Sequence, residues 1–227
     1  MTIRLADMDA AIFDFNGTLS DDEGVLTAVF TSMAADLGVP LTAAEYAASF
    51  LGRSDKEICA ELLRRAGVVS DQLPSRVPQL LARLADSYNA AVAVEPTIGP
   101  AACALVRELH RRGRPLAVVT GASRTTVLPA LTAVGLLELF GAVVTEEDVT
   151  VGKPDPEGLL LAVRMLGLPE AARVVVFEDS VPGLDAVQAA GMTPVGVRGS
   201  LSEAVAAERG ITLVDALDPR LLDLVLG

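Results

Sequence analysis

The sequence predicts an α/β fold, a parallel Rossmann-like sheet with an inserted helical domain, and two patterns support this prediction. Short apolar runs of strand length alternate with segments of helical spacing, and several of these segments end at a glycine. Such alternation is typical of a parallel sheet covered by helices on both faces. By contrast, residues 22–95 are rich in alanine and leucine and contain no run typical of a buried strand, which indicates helices only.

The elements follow in order along the chain. Strands are predicted at residues 10–13, 116–119, 142–144, 174–177 and 194–197. Helices are predicted at residues 101–112, 125–134, 157–166 and 184–190. Because the first strand precedes the helical insert and the others follow it, we predict an α/β core of residues 1–20 and 97–227. A helical cap of residues 21–96 is then expected to close over the strand ends.

Composition and charge exclude several classes of function. The chain has 227 residues, of which 51% are hydrophobic, so it can bury a sizeable core and is not disordered. Its formal net charge is -12, which would repel a phosphate backbone, and we therefore expect no nucleic-acid partner. An anionic substrate would need cations supplied locally by the binding site.

Cysteine spacing and hydropathy point to a cytoplasmic protein. Cys59 and Cys103 belong to no CxxC pair, which argues against a zinc knuckle and against a disulfide framework. No apolar run approaches the ~18 residues needed to span a bilayer, and we expect no membrane partner and no targeting segment. The oligomeric state is not encoded in any motif, and a monomer is favoured.

Polar residues follow four of the predicted strands, where ligands bind in parallel sheets. The four segments are Asp14-Phe15-Asn16-Gly17-Thr18-Leu19, Thr120-Gly121-Ala122-Ser123, Gly152-Lys153-Pro154-Asp155-Pro156 and Glu178-Asp179-Ser180. Taken one at a time, the first three segments are explained equally well by structure alone, as a turn, a helix cap and a solvated loop. Two adjacent carboxylates at a strand end are costly unless a cation joins them. Together the segments supply a carboxylate nucleophile, a hydroxyl with free amides, a lysine and an acidic pair for Mg2+, the parts needed for phosphoryl transfer.

These four ordered motifs resemble those of the haloacid dehalogenase (HAD) superfamily of phosphohydrolases, and the match extends over the whole chain. The helical insert lies where that family has its cap. The segment Glu178-Asp179-Ser180-Val181-Pro182-Gly183, continuing to Ala189-Ala190-Gly191-Met192, is similar to the fourth motif of one branch, which contains beta-phosphoglucomutase and small sugar-phosphate phosphatases. The resemblance implies an HAD-like core, Mg2+ as cofactor and a small phosphorylated metabolite as substrate.

The resemblance also implies a role for each matching residue. Asp14 would attack phosphorus and carry the phosphoryl group, while Lys153 would offset the charge on both. Asp14, Asp179 and the backbone carbonyl of Asn16 would bind Mg2+, and Glu178 would complete or orient that set. Thr120 and the Gly121 amide would hold phosphate oxygens, and Arg53, in a specificity loop of the cap, would pair with a second anionic group.

One position departs from the family pattern. HAD phosphatases and mutases usually carry a second Asp two residues after the nucleophile, acting as general acid and then as base, whereas this chain has Asn16. An amide does not exchange a proton at neutral pH, and general acid–base help is typically worth roughly 10²- to 10⁴-fold. A sugar-phosphate mutase is therefore disfavoured. We expect Asn16→Asp to accelerate the hydrolysis of alkyl phosphates.

The sequence leaves four alternatives open. In the first, the leaving group needs little protonation. In the second, another acid, Asp21, Asp22 or Glu23, supplies the proton. In the third, the protein binds a phosphorylated metabolite with little or no turnover. In the fourth, the chain resembles the family's phosphonate hydrolases, which lack that acid and form a Schiff base with a cap lysine. Lys56 lies near the corresponding loop, although an exposed lysine at a helix start is its simpler explanation. The intact Glu178-Asp179 pair argues against metal-free dehalogenation.

Overall fold

The computed structural model describes residues 3–169 and 172–226. The strands in this part of the chain are β1 Ile3–Arg4, β2 Ala10–Phe13, β3 Leu116–Val119, β4 Ala142–Val144, β5 Val174–Glu178, β6 Thr193–Val197, β7 Thr212–Val214 and β8 Val225–Leu226. Six of them form one parallel sheet in the order β4-β3-β2-β5-β6-β7, and β1 pairs with β8 in a separate antiparallel ribbon. The predicted α/β fold with a parallel Rossmann-like sheet is confirmed.

Helices cover both faces of this sheet. The α-helices of the described residues are α1 Glu23–Asp36, α2 Ala43–Ser49, α3 Asp55–Arg65, α4 Leu73–Val94, α5 Pro100–Arg111, α6 Arg124–Ala133, α7 Glu157–Met165, α8 Val181–Ala189 and α9 Glu203–Arg209. Short 3₁₀ turns lie at Leu5–Asp7, Leu137–Leu139, Glu146–Asp148 and Pro219–Asp223. No described helix is long and apolar enough to cross a membrane.

The sheet is apolar on both faces, because helices cover each of them. β2 lies at its centre between β3 and β5, and every residue of β2, β3 and β5 is buried. On one face the Phe13 and Phe177 rings stack with their centroids 4.9 Å apart. The central position of β2 brings the residue that follows it, Asp14, between the ends of two neighbouring strands.

Most predicted boundaries agree with the structure to within one residue, and α8 is the exception. It begins at Val181, three residues before the predicted start. The reason is local: Ser180 caps the helix by accepting a hydrogen bond from the Gly183 amide at 3.1 Å, and Pro182 lies in the first turn, where its missing N–H costs nothing. The edge strand β7 was not predicted.

Four helices, α1 to α4, lie between β2 and β3 in the chain. Two of them begin with capping boxes, at Thr42 and at Ser54, so their starts are encoded locally. Their apolar sides meet around the buried side chains of Phe30, Leu62 and Tyr88. We propose that this helical segment is the cap, with the bounds predicted above.

Candidate active site

Four charged side chains meet at the carboxyl edge of the sheet. Asp14 follows β2, Lys153 lies in the loop after β4, and Glu178 ends β5. The Nζ atom of Lys153 lies 2.5 Å from Oδ1 of Asp14 and 2.6 Å from Oε2 of Glu178. Asp179 adds a third carboxylate, and one oxygen of each lies within 4.8 Å of the others. The sequence-predicted residues Asp14, Lys153, Glu178 and Asp179 are therefore brought together.

The charges in this cluster do not balance. Burial, and then the charge of Glu178, raise the pKa of Asp14 well above its usual range and that of Asp179 to about 7. Burial opposes the charge of Lys153, but the two carboxylates beside it outweigh this and raise its pKa. One ammonium faces three carboxylates. A divalent cation on these oxygens would restore neutrality.

Glu178 is held by the protein on both of its oxygens. Oε1 accepts hydrogen bonds from the Asp179 and Ser180 amides and from the Ser180 hydroxyl, and Oε2 faces Lys153. A Cβ at Gly183 would lie 1.9 Å from Cδ of Glu178, so only glycine fits there. These contacts fix the carboxylate firmly. They favour a role in orienting the cluster over direct ligation.

Asp179 is positioned by two hydroxyls and a glycine. Oδ1 accepts from the Thr18 hydroxyl at 3.3 Å, and the Ser200 hydroxyl donates to the Asp179 backbone carbonyl at 2.5 Å. Gly17 has a φ of +73°, and a Cβ there would lie 2.5 Å from Oδ2 of Asp179. Ser200 is not among the residues predicted from the sequence. It follows β6, so the rule that ligands lie beyond strand ends would have found it.

Thr120 and Gly121 line the same cavity as Asp14. Oγ1 of Thr120 accepts a hydrogen bond from the Ala122 amide at 3.0 Å, which leaves its O–H free to donate elsewhere. No described residue accepts a hydrogen bond from the Gly121 amide. Two donors are therefore available in this cavity.

The helical segment closes over this edge and shapes a cavity of about 640 Å³. The start of α3 touches the core: the Asp55 amide donates to the Gly121 carbonyl at 3.2 Å, and Oδ2 of Asp55 accepts from the Ser123 amide at 3.1 Å. Glu146, on the core, accepts from the Lys56 amide at 3.0 Å. These three contacts join the helical segment to the loops that follow β3 and β4.

The cations at the mouth of the cavity come from the helical segment. Arg53 is exposed, lines the cavity and rests over the Phe50 ring, with Cζ 5.6 Å from the ring centroid. Lys56 is also exposed and lines the cavity. The structure thus places Arg53 at the rim, outside the carboxylate cluster.

Asn16 lines the cavity, and its amide nitrogen lies 2.8 Å from Oδ2 of Asp22. The hydroxyl of Tyr88, from α4, donates to the same oxygen. Burial raises the pKa of Asp22 to about 6. Of the three acids considered as proton sources, Asp21 is exposed, Asp22 is fully buried behind Asn16, and Glu23 is the one that lines the cavity.

Comparison with known proteins identifies the family. Residues 8–191 match the family model described as haloacid dehalogenase-like hydrolase. The chain belongs to this family. The predicted family and branch, and the predicted enzyme class of HAD phosphatase, are confirmed by this match and by relatives that are themselves phosphatases.

Three HAD relatives illustrate the similarity. The chain is 34% identical to validoxylamine A 7'-phosphate phosphatase from Streptomyces hygroscopicus subsp. limoneus, over 92% of this chain and 95% of that one. It is 29% identical to phosphoglycolate phosphatase from Pectobacterium atrosepticum, over 82% and 78%. Among solved structures, a CbbY mutant from Rhodobacter sphaeroides in complex with xylulose-(1,5)bisphosphate is 28% identical, with a TM-score of 0.79, over 96% of this chain and 100% of that one.

Proposed function

We propose that this protein is a Mg2+-dependent phosphohydrolase that transfers the phosphoryl group of a small phosphorylated metabolite to Asp14. The observation that carries the proposal is the contact of Lys153 with both Asp14 and Glu178, beside Asp179. A buried ammonium that joins two carboxylates at the end of a central strand is costly to assemble for stability alone. It suits a site that must bring a phosphate dianion against a carboxylate.

The nucleophilic atom follows from the ion pair. Because Lys153 occupies Oδ1 of Asp14, Oδ2 is the oxygen that attacks phosphorus. A P–O bond to Asp14 forms while the bond to the leaving oxygen breaks. Thr120 and the Gly121 amide hold the oxygens of the transferred group. Water then attacks phosphorus, releases inorganic phosphate and restores Asp14.

The residues present fit Mg2+. Three carboxylates and one ammonium leave two uncompensated negative charges, and the donors are all oxygens, which Mg2+ prefers. Asp14, Asp179 and the Asn16 carbonyl would hold the ion, with Glu178 orienting them. Bound Mg2+ would supply charge neutralisation for the phosphate and the nucleophile.

The site lacks a proton donor at position 16, where the family usually has an aspartate. The Asn16 amide can accept a hydrogen bond from a substrate oxygen or a water molecule, but it supplies no proton to a leaving alkoxide. Substrates with good leaving groups should therefore react fastest. Hydrolysis of the aspartyl phosphate should also be slow, because a general base normally activates the attacking water in this step.

The substrate class is a phosphorylated sugar or a sugar-like polyol. The cavity volume of about 640 Å³ lies in the range typical of small-molecule sites. Relatives act on validoxylamine A 7'-phosphate or phosphoglycolate, or hold a xylulose bisphosphate, according to their names. Arg53 at the rim is positioned to meet a second anionic group or a hydroxyl far from the phosphate.

A panel of phosphate esters, assayed with Mg2+ and with a chelator, tests this proposal. We expect Mg2+-dependent release of inorganic phosphate from at least one sugar phosphate and from aryl phosphates. Asp14→Asn should abolish the release while keeping the fold. Tight binding of a metabolite without phosphate release would favour a sensor instead, and borohydride trapping of a phosphonate substrate on Lys56 would favour the phosphonate hydrolase.

A further inference from the structure

A buried carboxylate lies directly behind Asn16. Asp22 has 0% of its surface exposed, and its Oδ2 accepts from the Asn16 amide nitrogen at 2.8 Å and from the Tyr88 hydroxyl at 2.5 Å. The Gly17 amide approaches Oδ1 at 3.4 Å. Asn16 lines the cavity, whereas Asp22 is absent from its described lining.

This contact fixes the orientation of the Asn16 side chain. A carboxylate accepts hydrogen bonds and donates none, so the amide must direct Nδ2 at Asp22. The carbonyl oxygen on the same carbon is then the Asn16 atom left for a substrate hydroxyl or a water molecule. Without Asp22 the amide could turn over and offer N–H instead.

The same contact makes an aspartate at position 16 unfavourable. A carboxylate there has no hydrogen to donate, and it would face the Asp22 carboxylate at a distance of about 3 Å in a buried setting. An ionised aspartate, the form that acts as base in this family, is therefore disfavoured at position 16 beside Asp22.

We propose that Asp22 is the positioning residue for Asn16, and that it requires an amide at position 16 and excludes a carboxylate from it. The inference rests on the proposed function, because it concerns how the site handles the leaving oxygen. It revises the expectation that Asn16→Asp alone accelerates alkyl phosphate hydrolysis. The exchange must include Asp22→Asn, which returns a donor to the pair.

The surroundings can accommodate the exchanged pair. An amide at position 22 would donate to an aspartate at position 16. The Tyr88 hydroxyl, which donates to Oδ2 of Asp22, can in turn accept a hydrogen bond from the second hydrogen of that amide. Each polar group therefore keeps a hydrogen bond in the double variant.

Four proteins test the proposal: wild type, Asn16→Asp, Asp22→Asn and the double variant. Each is assayed at saturating Mg2+ with p-nitrophenyl phosphate and with glucose 6-phosphate, and its Tm is measured. We expect the double variant to hydrolyse the sugar phosphate about 10²-fold faster than wild type, with a much smaller change for the aryl ester. Asn16→Asp alone should show less than about a tenth of this gain and a lower Tm.

Tyr88→Phe serves as the matched control, because it removes the other donor to Asp22 and leaves Asn16 in place. It should lower the Tm without changing the ratio of sugar phosphate to aryl phosphate turnover. A purely structural role for Asp22 would change both substrates alike in every variant, and that result would overturn the proposal.

Equal gains in Asn16→Asp and in the double variant would also overturn it. If wild type and all variants fail to release phosphate from either ester, the proposed function is wrong. Even then, the Tm values test whether Asp22 requires an amide at position 16. A loss of Tm in Asn16→Asp that Asp22→Asn restores supports the pair, and additive changes contradict it.

Discussion

The ammonium of Lys153 lies 2.5 Å from Oδ1 of Asp14, although 139 positions separate these residues in the chain. Their meeting depends on the parallel sheet, because the loops after β2 and β4 emerge at the same edge. The flanking carboxylates raise the pKa of Lys153, so the ammonium keeps its charge throughout the physiological range. Asp14 thus has a permanent cation on one oxygen and a free second oxygen.

We expect Lys153→Gln to lower kcat by roughly 10²-fold or more, because the amide has no charge to offset the carboxylate and the phosphoryl group. Steady-state assays with an aryl phosphate at saturating Mg2+ measure the effect. Lys56→Gln is the matched control, since Lys56 lines the same cavity but is exposed and lies outside the cluster. It should alter KM more than kcat. Equal losses of kcat in both variants would contradict the assignment of Lys153.

Ser200→Ala is expected to raise the Mg2+ concentration for half-maximal rate by about 10-fold, because Ser200 holds the Asp179 backbone and approaches its carboxylate. At saturating Mg2+ the rate should largely recover. A titration of the rate with Mg2+ measures this. Ser202→Ala, which removes the cap of α9 instead, should leave the Mg2+ requirement unchanged. An unchanged requirement in Ser200→Ala would separate Asp179 from metal binding.

The rate of the wild-type protein is expected to depend steeply on the acidity of the leaving group, because Asn16 supplies no proton. Acyl and aryl phosphates should react much faster than sugar phosphates. A series of aryl phosphates of graded phenol pKa, extended to alkyl esters, gives the slope.

Glu23→Gln is the control for this series, since Glu23, at the start of α1, lines the cavity and Asp21 and Asp22 are not among its described lining residues. Its substitution should leave the slope unchanged. A shallow slope in wild type that becomes steep in Glu23→Gln would show that Glu23 donates the proton, contrary to our expectation.

The junction between α3 and the core should weaken as the pH rises. Burial raises the pKa of Asp55 to about 7, and burial followed by the charge of Asp55 raises that of Glu146 to about 8. Both values exceed the ordinary ones of 3.8 and 4.5, so the folded protein binds more protons than the unfolded chain in this window. The free energy of unfolding contributed by these groups therefore falls from about pH 4 to about pH 8.

Asp55→Asn keeps an acceptor for the Ser123 amide but removes the charge. Relative to wild type, we expect little change in Tm near about pH 5 and a higher Tm near about pH 8. Asp71→Asn is the exposed control, and its Tm difference from wild type should not vary with pH. Identical pH profiles for the two variants would contradict the role of burial at Asp55.

Local patterns account for the part of the fold that the sequence predicted well. The core strands are continuous buried runs, and β2, β3 and β4 match their predicted bounds. The edge strand β7 is half-buried and short, so it lacks such a run and was missed. The early start of α8 depends on the Ser180 cap and on Pro182, and the spacing of apolar residues alone does not predict it.

At the candidate site, the strand-end rule and the family resemblance together named the residues of the carboxylate cluster. They did not reveal which side chains support it. The contact between Asn16 and Asp22 depends on how the chain turns after β2 and on Tyr88, which lies 66 positions further on. The contacts of Asp55 and Glu146 likewise depend on the packing of the helical segment against the core. No local sequence pattern encodes such distances.

Identification of a phosphoryl group on Asp14 is the most direct test of its role as the nucleophile. The protein is mixed with p-nitrophenyl phosphate and Mg2+, quenched in acid within the first turnover and analysed by peptide mass spectrometry, with Asp14→Asn treated in parallel. Because Asn16 provides no base for the second step, the aspartyl phosphate should accumulate, and the peptide that contains Asp14 should carry one added phosphoryl group in the wild-type protein only. Rapid release of inorganic phosphate by Asp14→Asn, or an unmodified Asp14 with the phosphoryl group on another residue, would contradict the assignment of Asp14 as the nucleophile.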